Sequence, residues 1–157
     1  MAINNPLQKS EESIKLELLI ADDDSTNRKL YKIFLGKEYN ITLAKSGQEC
    51  IALLETGFRP DHLLLDYRMF PLTGVDVLRY CHEQHIDATP IICSGTIDEV
   101  KTDLAATPYI EAKLFEKPVN PTELKEYLAN ASEEKEFKDF SDIGIEEVTE
   151  VTQSSYL

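Results

Sequence analysis

Apolar and polar residues follow one another along the chain in blocks, with five short apolar runs separated by longer amphipathic segments. Each apolar run is about as long as a strand that is buried on both faces, as the strands of parallel sheets are. The segments between the runs have the period of helices that cover such a sheet on one side. The five predicted strands are KLELLIA, YNITLA, HLLLD, PIICS and KLFEK.

Capping residues mark the starts of three predicted helices. Ser46 with Glu49, and Thr96 with Glu99, match the S/T-x-x-E capping box, in which a hydroxyl and a carboxylate bind free backbone N–H groups. Asn120 is a third predicted cap, because a proline and a glutamate follow it at typical first-turn positions. Strict alternation of strands and helices predicts a doubly wound α/β domain, with helices on both faces of a parallel sheet.

The pattern divides the chain into three parts. Residues 15–131 form the predicted domain, and residues 1–14 are interpreted as a flexible leader. Residues 132–157 carry eight acids and two lysines, so they are interpreted as an acidic tail or helical extension. A segment that binds a partner or forms a dimer is the alternative for this part of the chain.

Composition narrows the functional classes. The formal net charge of −13 argues against direct binding to nucleic acid, which needs a basic surface, and favours basic protein partners. The cysteines Cys50, Cys81 and Cys93 lie among apolar residues without metal-site spacing, which predicts buried, reduced thiols. No run reaches the length of a membrane span and no secretory signal is visible, so we expect a cytoplasmic protein without a membrane contact.

Side chains that carry chemistry end four of the five predicted strands. The first strand ends in three carboxylates, and the third, fourth and fifth end in a carboxylate, a hydroxyl and an ammonium group. These residues are Asp22, Asp23, Asp24, Asp66, Ser94 and Lys117. The carboxyl ends of parallel strands share one edge of the sheet, where α/β proteins build their sites. Clustered carboxylates suit Mg²⁺, one carboxylate can accept a phosphoryl group, and a lysine and a hydroxyl can bind its oxygens. These groups predict a phosphoryl-transfer site.

Five stretches of the sequence point to one family together: LLIADDD, LAKSGQECIALL, LLLDYRMFPLTG, PIICSG and FEKPV. In them the chain resembles the response-regulator receiver domains of two-component signalling, over about residues 15–131. The resemblance implies a (βα)5 flavodoxin-like fold with a five-stranded parallel sheet of order 2-1-3-4-5.

The resemblance also implies which residues bind the metal and the phosphoryl group. Asp66 would accept the phosphoryl group from a histidine kinase or a histidine phosphotransfer protein, with Mg²⁺ as cofactor. Asp22, Asp23, Asp66 and the backbone carbonyl of Arg68 would bind the Mg²⁺. The remaining two site residues, Lys117 and Ser94, would contact the phosphoryl oxygens. Catalysis would be limited to self-phosphorylation and autodephosphorylation.

The expected output is a protein contact that phosphorylation switches. The resemblance implies that the surface of the fourth helix, fifth strand and fifth helix changes, and a homodimer through this face or the tail is one form the contact could take. Four sites depart from the family pattern, and one of them is Ile110-Glu111, where a Gly-Ala pair is usual. Phe70 stands at a usual proline, Leu114 at a usual aromatic residue, and Arg68 is a bulky cation close to the acceptor. The Lys117–Pro118 bond is a candidate cis peptide.

Two alternatives stay open. Asp22, Asp24 and Thr26 satisfy D-x-D-x-T, the motif of haloacid-dehalogenase-like phosphatases, in which Asp22 would be the nucleophile and Asp24 the acid/base. A receiver-like adaptor that works without phosphorylation would keep the same fold and the same acids.

The three histidines, with His62 among the strands, show no metal-ligand spacing and are interpreted as surface or hydrogen-bonded residues.

Overall fold

Five parallel strands form one sheet in the order β2-β1-β3-β4-β5, in a computed structural model that describes residues 13–144. The strands alternate with five helices, which confirms the doubly wound (βα)5 fold and the strand order. The elements are β1 (Leu16–Ala21), α1 (Ser25–Leu35), β2 (Tyr39–Ala44), α2 (Gly47–Glu55), β3 (His62–Asp66), α3 (Gly74–Glu83), β4 (Thr89–Ser94), α4 (Ile97–Ala105), β5 (Lys113–Glu116) and α5 (Pro121–Asp142).

The sheet separates two apolar cores, because successive residues of a strand point to opposite faces. Leu19 of β1 packs with the buried residues of α2, α3 and α4, whereas Leu18 packs with those of α1 and α5. The same alternation occurs in β3, where Leu63 and Leu64 belong to different cores. The central strands are therefore buried on both faces, as their continuous apolar runs predicted.

The three cysteines are buried and free, as the sequence predicted. Burial raises the pKa of Cys50 and Cys93 to about 12, and that of Cys81 to about 11. The thiols are therefore protonated near neutral pH and pack as small apolar groups.

The predicted helix caps have different outcomes. Ser46 caps α2, since its hydroxyl accepts the Glu49 N–H at 3.1 Å, although the Glu49 carboxylate binds the N–H of Lys45 instead of that of Ser46. Thr96 precedes α4 but makes no side-chain cap bond, and its backbone (φ −134°, ψ 77°) lacks the extended conformation of the N-caps Ser46 and Thr73. Its hydroxyl donates to the Glu99 carboxylate at 3.3 Å. The capping box predicted at Thr96 is therefore wrong.

A complete capping box starts α3, where the sequence analysis did not predict one. Thr73 Oγ1 accepts the Asp76 N–H at 3.2 Å, and the Asp76 carboxylate accepts the Thr73 N–H at 2.8 Å. The fourth residue of this box is aspartate, whereas the S/T-x-x-E motif has glutamate at that position. This box fixes the start of the helix that follows the loop after β3.

Helix α5 begins at the predicted cap. The Asn120 side chain accepts the N–H groups of Thr122 and Glu123 at 2.9 and 3.3 Å. The helix then runs through residue 131 to Asp142 without a break. Residues 1–12 of the predicted leader and residues 145–157 of the predicted tail lie outside the described residues, so both divisions remain predictions.

None of the helices within residues 13–144 combines the length and the apolar character that crossing a membrane requires.

Candidate functional site

The carboxyl edge of the sheet brings together the predicted site residues of four strands. β1 pairs with β3 so that Ala21 lies opposite Leu65, which places Asp22 and Asp66 side by side beyond that pair. β4 continues the row with Ser94, which is paired with the last residue of β5. The side chains of Asp22, Asp66 and Ser94 are all buried, with 1%, 7% and 2% of their surface exposed.

Lys117 links the two buried carboxylates. Its Nζ lies 2.9 Å from Asp66 Oδ1 and 3.4 Å from Asp22 Oδ2. Its backbone N–H donates to the Ser94 carbonyl at 2.9 Å, which fixes the lysine at the end of β5. One ammonium group therefore offsets part of the repulsion between two carboxylates that the fold has removed from water.

Burial and neighbouring charges change the pKa values of Asp66 and Lys117. Burial raises the pKa of Asp66 to about 6, although its hydrogen bond and ion pair with Lys117 act in the opposite direction. Burial by itself would lower the pKa of Lys117, but the hydrogen bond and charge of Asp66, with the charge of Asp22, hold it above its usual value. Near neutral pH, Asp66 is mostly ionised and Lys117 carries its proton.

Two residues that the sequence analysis missed hold Asp22 in place. Asn27 Nδ2 donates to Asp22 Oδ2 at 3.2 Å, and Arg28 Nη1 donates to the Asp22 backbone carbonyl at 2.7 Å. The N–H of Asp24 donates to Asp22 Oδ1 at 2.9 Å. Both missed side chains lie on the first turn of α1, and nothing in their local sequence distinguishes them from ordinary polar residues of a helix surface.

The three consecutive aspartates have different surroundings. Asp22 is buried, Asp23 is exposed, and Asp24 is the N-cap of α1, whose carboxylate accepts the Thr26 N–H at 2.7 Å. The third acid therefore stabilises a helix terminus.

Three carboxylates form a cluster that fits a hard cation. Asp22, Asp23 and Asp66 each offer an oxygen, and these oxygens lie within 4.8 Å of one another. Two oxygens bound to the same Mg²⁺ at about 2.1 Å lie at most about 4.2 Å apart, so a small contraction would close the site. The donor set, which consists only of oxygen atoms, also matches the preference of Mg²⁺.

The other two predicted site groups are placed differently. The Arg68 side chain is turned to α4, where its guanidinium binds Glu99, and a metal contact of its backbone carbonyl stays a prediction. Ser94 Oγ accepts the Thr96 N–H at 3.0 Å and lies 3.3 Å from Thr96 Oγ1. In the described part of the chain, the hydroxyl of Ser94 thus bonds to Thr96 and not to Asp66.

Gly74 allows α3 to start directly against the acceptor strand. A Cβ at this position would lie 2.8 Å from the backbone oxygen of Asp66 and 3.3 Å from Leu65 Cβ. The first of these distances is too short for a carbon and an oxygen, so any side chain would displace the end of β3. The glycine eight residues after Asp66 is thus explained by a close approach of two backbones.

The loops beside the site contain two cis peptide bonds. The predicted cis bond Lys117–Pro118 is present, and Phe70–Pro71 is also cis. Phe70, at the position where the family resemblance leads one to expect proline, has 94% of its side-chain surface exposed. The loop after Asp66 therefore differs from the family pattern and presents an aromatic ring to solvent.

Comparison with known proteins identifies the family. Residues 18–129 match the model of the response regulator receiver domain. The chain belongs to this family. Among curated receiver relatives, the transcriptional regulatory protein CpxR of Klebsiella pneumoniae is 32% identical over 114 residues, or 69% of this chain and 45% of that protein. The cyclic-nucleotide phosphodiesterase regA of Dictyostelium discoideum is 34% identical over 91 residues, or 55% of this chain and 12% of that protein.

Solved receiver domains have the same architecture. A signal receiver domain from Vibrio parahaemolyticus gives a TM-score of 0.71 at 24% identity, and covers 82% of this chain and 98% of that one. A CheY-like receiver domain protein from Methanospirillum hungatei gives a TM-score of 0.68 at 25% identity, over 79% and 98%. The chain spans less than half the length of both curated relatives.

Proposed function

We propose that this receiver accepts a phosphoryl group on Asp66 from the phosphohistidine of a histidine kinase or a histidine phosphotransfer protein. The observation that carries the proposal is the arrangement around Lys117, which joins Asp66 to Asp22 at 2.9 and 3.4 Å beside the exposed carboxylate of Asp23. A nucleophile, a cation and a carboxylate cluster at one edge of the sheet are the parts that phosphoryl transfer needs.

Three residues of this chain would take part in the phosphoryl transfer. A carboxylate oxygen of Asp66 forms a bond to phosphorus while the phosphorus–nitrogen bond of the donor breaks. The Lys117 ammonium then stabilises the negative charge of the phosphoryl oxygens, and the Ser94 hydroxyl donates a hydrogen bond to one of them. A pKa of about 6 leaves Asp66 mostly in the ionised, nucleophilic form at pH 7.

Magnesium is the proposed cofactor. Asp22, Asp23, Asp66 and the Arg68 backbone carbonyl would hold it, since the three carboxylates already lie together and offer only hard oxygen ligands. When bound, Mg²⁺ would reduce the repulsion between these acids and the anionic phosphoryl group.

The proposed output is a protein contact on the surface of α4, β5 and α5, which phosphorylation changes. The net charge of −13 supports a protein partner over direct nucleic-acid binding. A homodimer through this face or through residues 132–157 is one form of that contact. We place the receiver at residues 15–131 and assign the protein to the cytoplasm.

Intact-mass spectrometry after incubation with phosphoramidate and Mg²⁺ tests the proposal. We expect one phosphoryl group on the wild type, labile in base, and none on Asp66→Asn. If the adduct survives in Asp66→Asn but is lost in Asp22→Asn, the phosphatase mechanism is correct instead. If the wild type takes up no phosphoryl group, the adaptor that works without phosphorylation is favoured.

A further inference from the structure

Arg68 connects the loop after Asp66 to the first turn of α4. Its Nη2 lies 2.6 and 2.7 Å from the two carboxylate oxygens of Glu99. The side chains of Arg68 and Glu99 are 62% and 51% exposed, so water screens their ion pair and makes it weak. A contact of this strength can hold an element in place and still be broken by a competing charge.

Hydrogen bonds continue this contact to the site. Thr96 Oγ1 lies 3.3 Å from Glu99 Oε2 and 3.3 Å from Ser94 Oγ. An ionised carboxylate only accepts hydrogen bonds, so the single hydroxyl hydrogen of Thr96 is directed to Glu99. The bond between the two hydroxyls must then use the hydrogen of Ser94. The side chains of Ser94, Thr96, Glu99 and Arg68 therefore form one directed line.

A phosphoryl group on Asp66 would compete for the hydrogen bond of Ser94 and for the ion pair of Arg68, the two ends of this line. Phosphoryl oxygens have no hydrogen to donate, so Ser94 can bind one only by withdrawing its single hydrogen from Thr96. The guanidinium of Arg68, two residues after Asp66, would also gain a second anion as a partner. We infer that these four residues form a latch that ties α4 to the phosphorylation site, and that phosphorylation opens it. This inference rests on the proposed function.

The packing of α4 makes it the element that such a latch can control. Val100 is the only residue of α4 that is buried, whereas α3 buries five residues. The Thr96 side chain makes no cap bond to the start of α4. The second half of the helix is tied to α3 by an ion pair between Asp103 and Arg79 at 2.8 Å. Opening the latch would thus release the first half of α4 around a fixed second half.

Hydrogen exchange of the full chain, followed by mass spectrometry on peptides from α4, tests the latch. Glu99→Gln removes the charge that binds Arg68 and keeps the size of the side chain. Asp98→Asn is the matched control, because Asp98 is an exposed carboxylate in the same first turn. Without phosphorylation, we expect α4 to exchange up to about fivefold faster in Glu99→Gln than in the wild type or Asp98→Asn.

Phosphorylation with phosphoramidate and Mg²⁺ should then accelerate exchange of α4 in the wild type and in Asp98→Asn, but much less in Glu99→Gln. Arg68→Gln combined with Glu99→Gln should add little to either single change. If Glu99→Gln and Asp98→Asn exchange alike in both states while intact mass shows the adduct, the latch is wrong and the proposed function stands. If the wild type gains no adduct, the proposed function fails, and the latch inference fails with it.

Discussion

His62 is the first residue of β3 and is fully buried against Ser132 of α5. Its Nε2 lies 3.0 Å from Ser132 Oγ, whose own hydrogen goes to the Leu128 carbonyl at 2.7 Å. Nε2 must therefore carry the ring proton and donate it to the serine. The other ring nitrogen, Nδ1, has no hydrogen-bond partner among residues 13–144. Burial, with a smaller effect from the charge of Lys135, lowers the pKa of His62 to about 4.

This histidine makes the stability of the fold depend on pH. Between pH 6.5 and 4 the unfolded chain binds a proton at this position and the folded chain does not, so the free energy of unfolding falls as pH falls. The loss from this residue amounts to at most about 1.4 kcal/mol per pH unit, and it stops below the folded pKa. We expect His62→Gln, which keeps a donor for Ser132, to remove this part of the pH dependence.

Urea denaturation of the wild type and His62→Gln at pH 7.5, 6 and 5 measures the difference. The carboxylates contribute equally to the pH dependence of unfolding in both proteins, so only the difference between the two pH profiles reports on His62. Parallel profiles would mean that His62 titrates alike in the folded and unfolded chains, and would contradict its burial as a neutral residue.

Helix α5 changes character along its length. Its first half packs on the sheet through Leu124, Leu128 and Ala131, which are spaced by one helical turn each. Beyond Ser132 the large apolar side chains are exposed, and Phe137 and Phe140 keep 70% and 60% of their surface in solvent. The second half thus receives little stabilisation from packing and is helical because it continues an anchored helix.

Two alanine substitutions distinguish the halves of α5. Leu128→Ala leaves a cavity in the core and should lower the free energy of unfolding by about 2–5 kcal/mol. Phe137→Ala removes an exposed ring and should change it by less than about 0.5 kcal/mol. Denaturant titrations of both variants measure these values. A comparable loss in Phe137→Ala would show that another surface covers this ring.

Folding of the whole chain creates the proposed metal site, because its acids come from the ends of β1 and β3, which are far apart in sequence. An ion that binds only the folded chain stabilises it through mass action. Mg²⁺ at ten times its dissociation constant should raise the free energy of unfolding by about 1.4 kcal/mol. Thermal denaturation with increasing Mg²⁺ measures this effect.

Asp23→Asn and Asp24→Asn make a matched pair for this experiment. Asp23 contributes to the carboxylate cluster, so its substitution should reduce the stabilisation by Mg²⁺. Asp24 caps α1, and asparagine caps a helix about as well, so Asp24→Asn should respond to Mg²⁺ like the wild type. An equal loss of the response in both variants would contradict the assignment of Asp24 to the helix cap.

The sequence by itself determined the elements and the types of chemical group at the site. β2 and β3 have the limits that their apolar runs predicted, and α5 begins at the predicted cap, Asn120. Asp66 also ends the strand that the pattern assigned to it, and Lys117 follows directly after the end of β5. These features could be predicted because burial periodicity, capping and strand length are properties of consecutive residues.

Only the tertiary structure decided which of these groups meet. Lys117 bridges carboxylates 51 and 95 residues away, Arg68 pairs with Glu99 of α4, and His62 is buried against Ser132. The capping box predicted at Thr96 was also wrong, and the carboxylate of its Glu99 binds Arg68, a distant partner that the local sequence does not reveal. Hydrogen bonds and ion pairs depend on a separation of a few ångströms. In this chain, the register of the sheet and the packing of the helices set those separations.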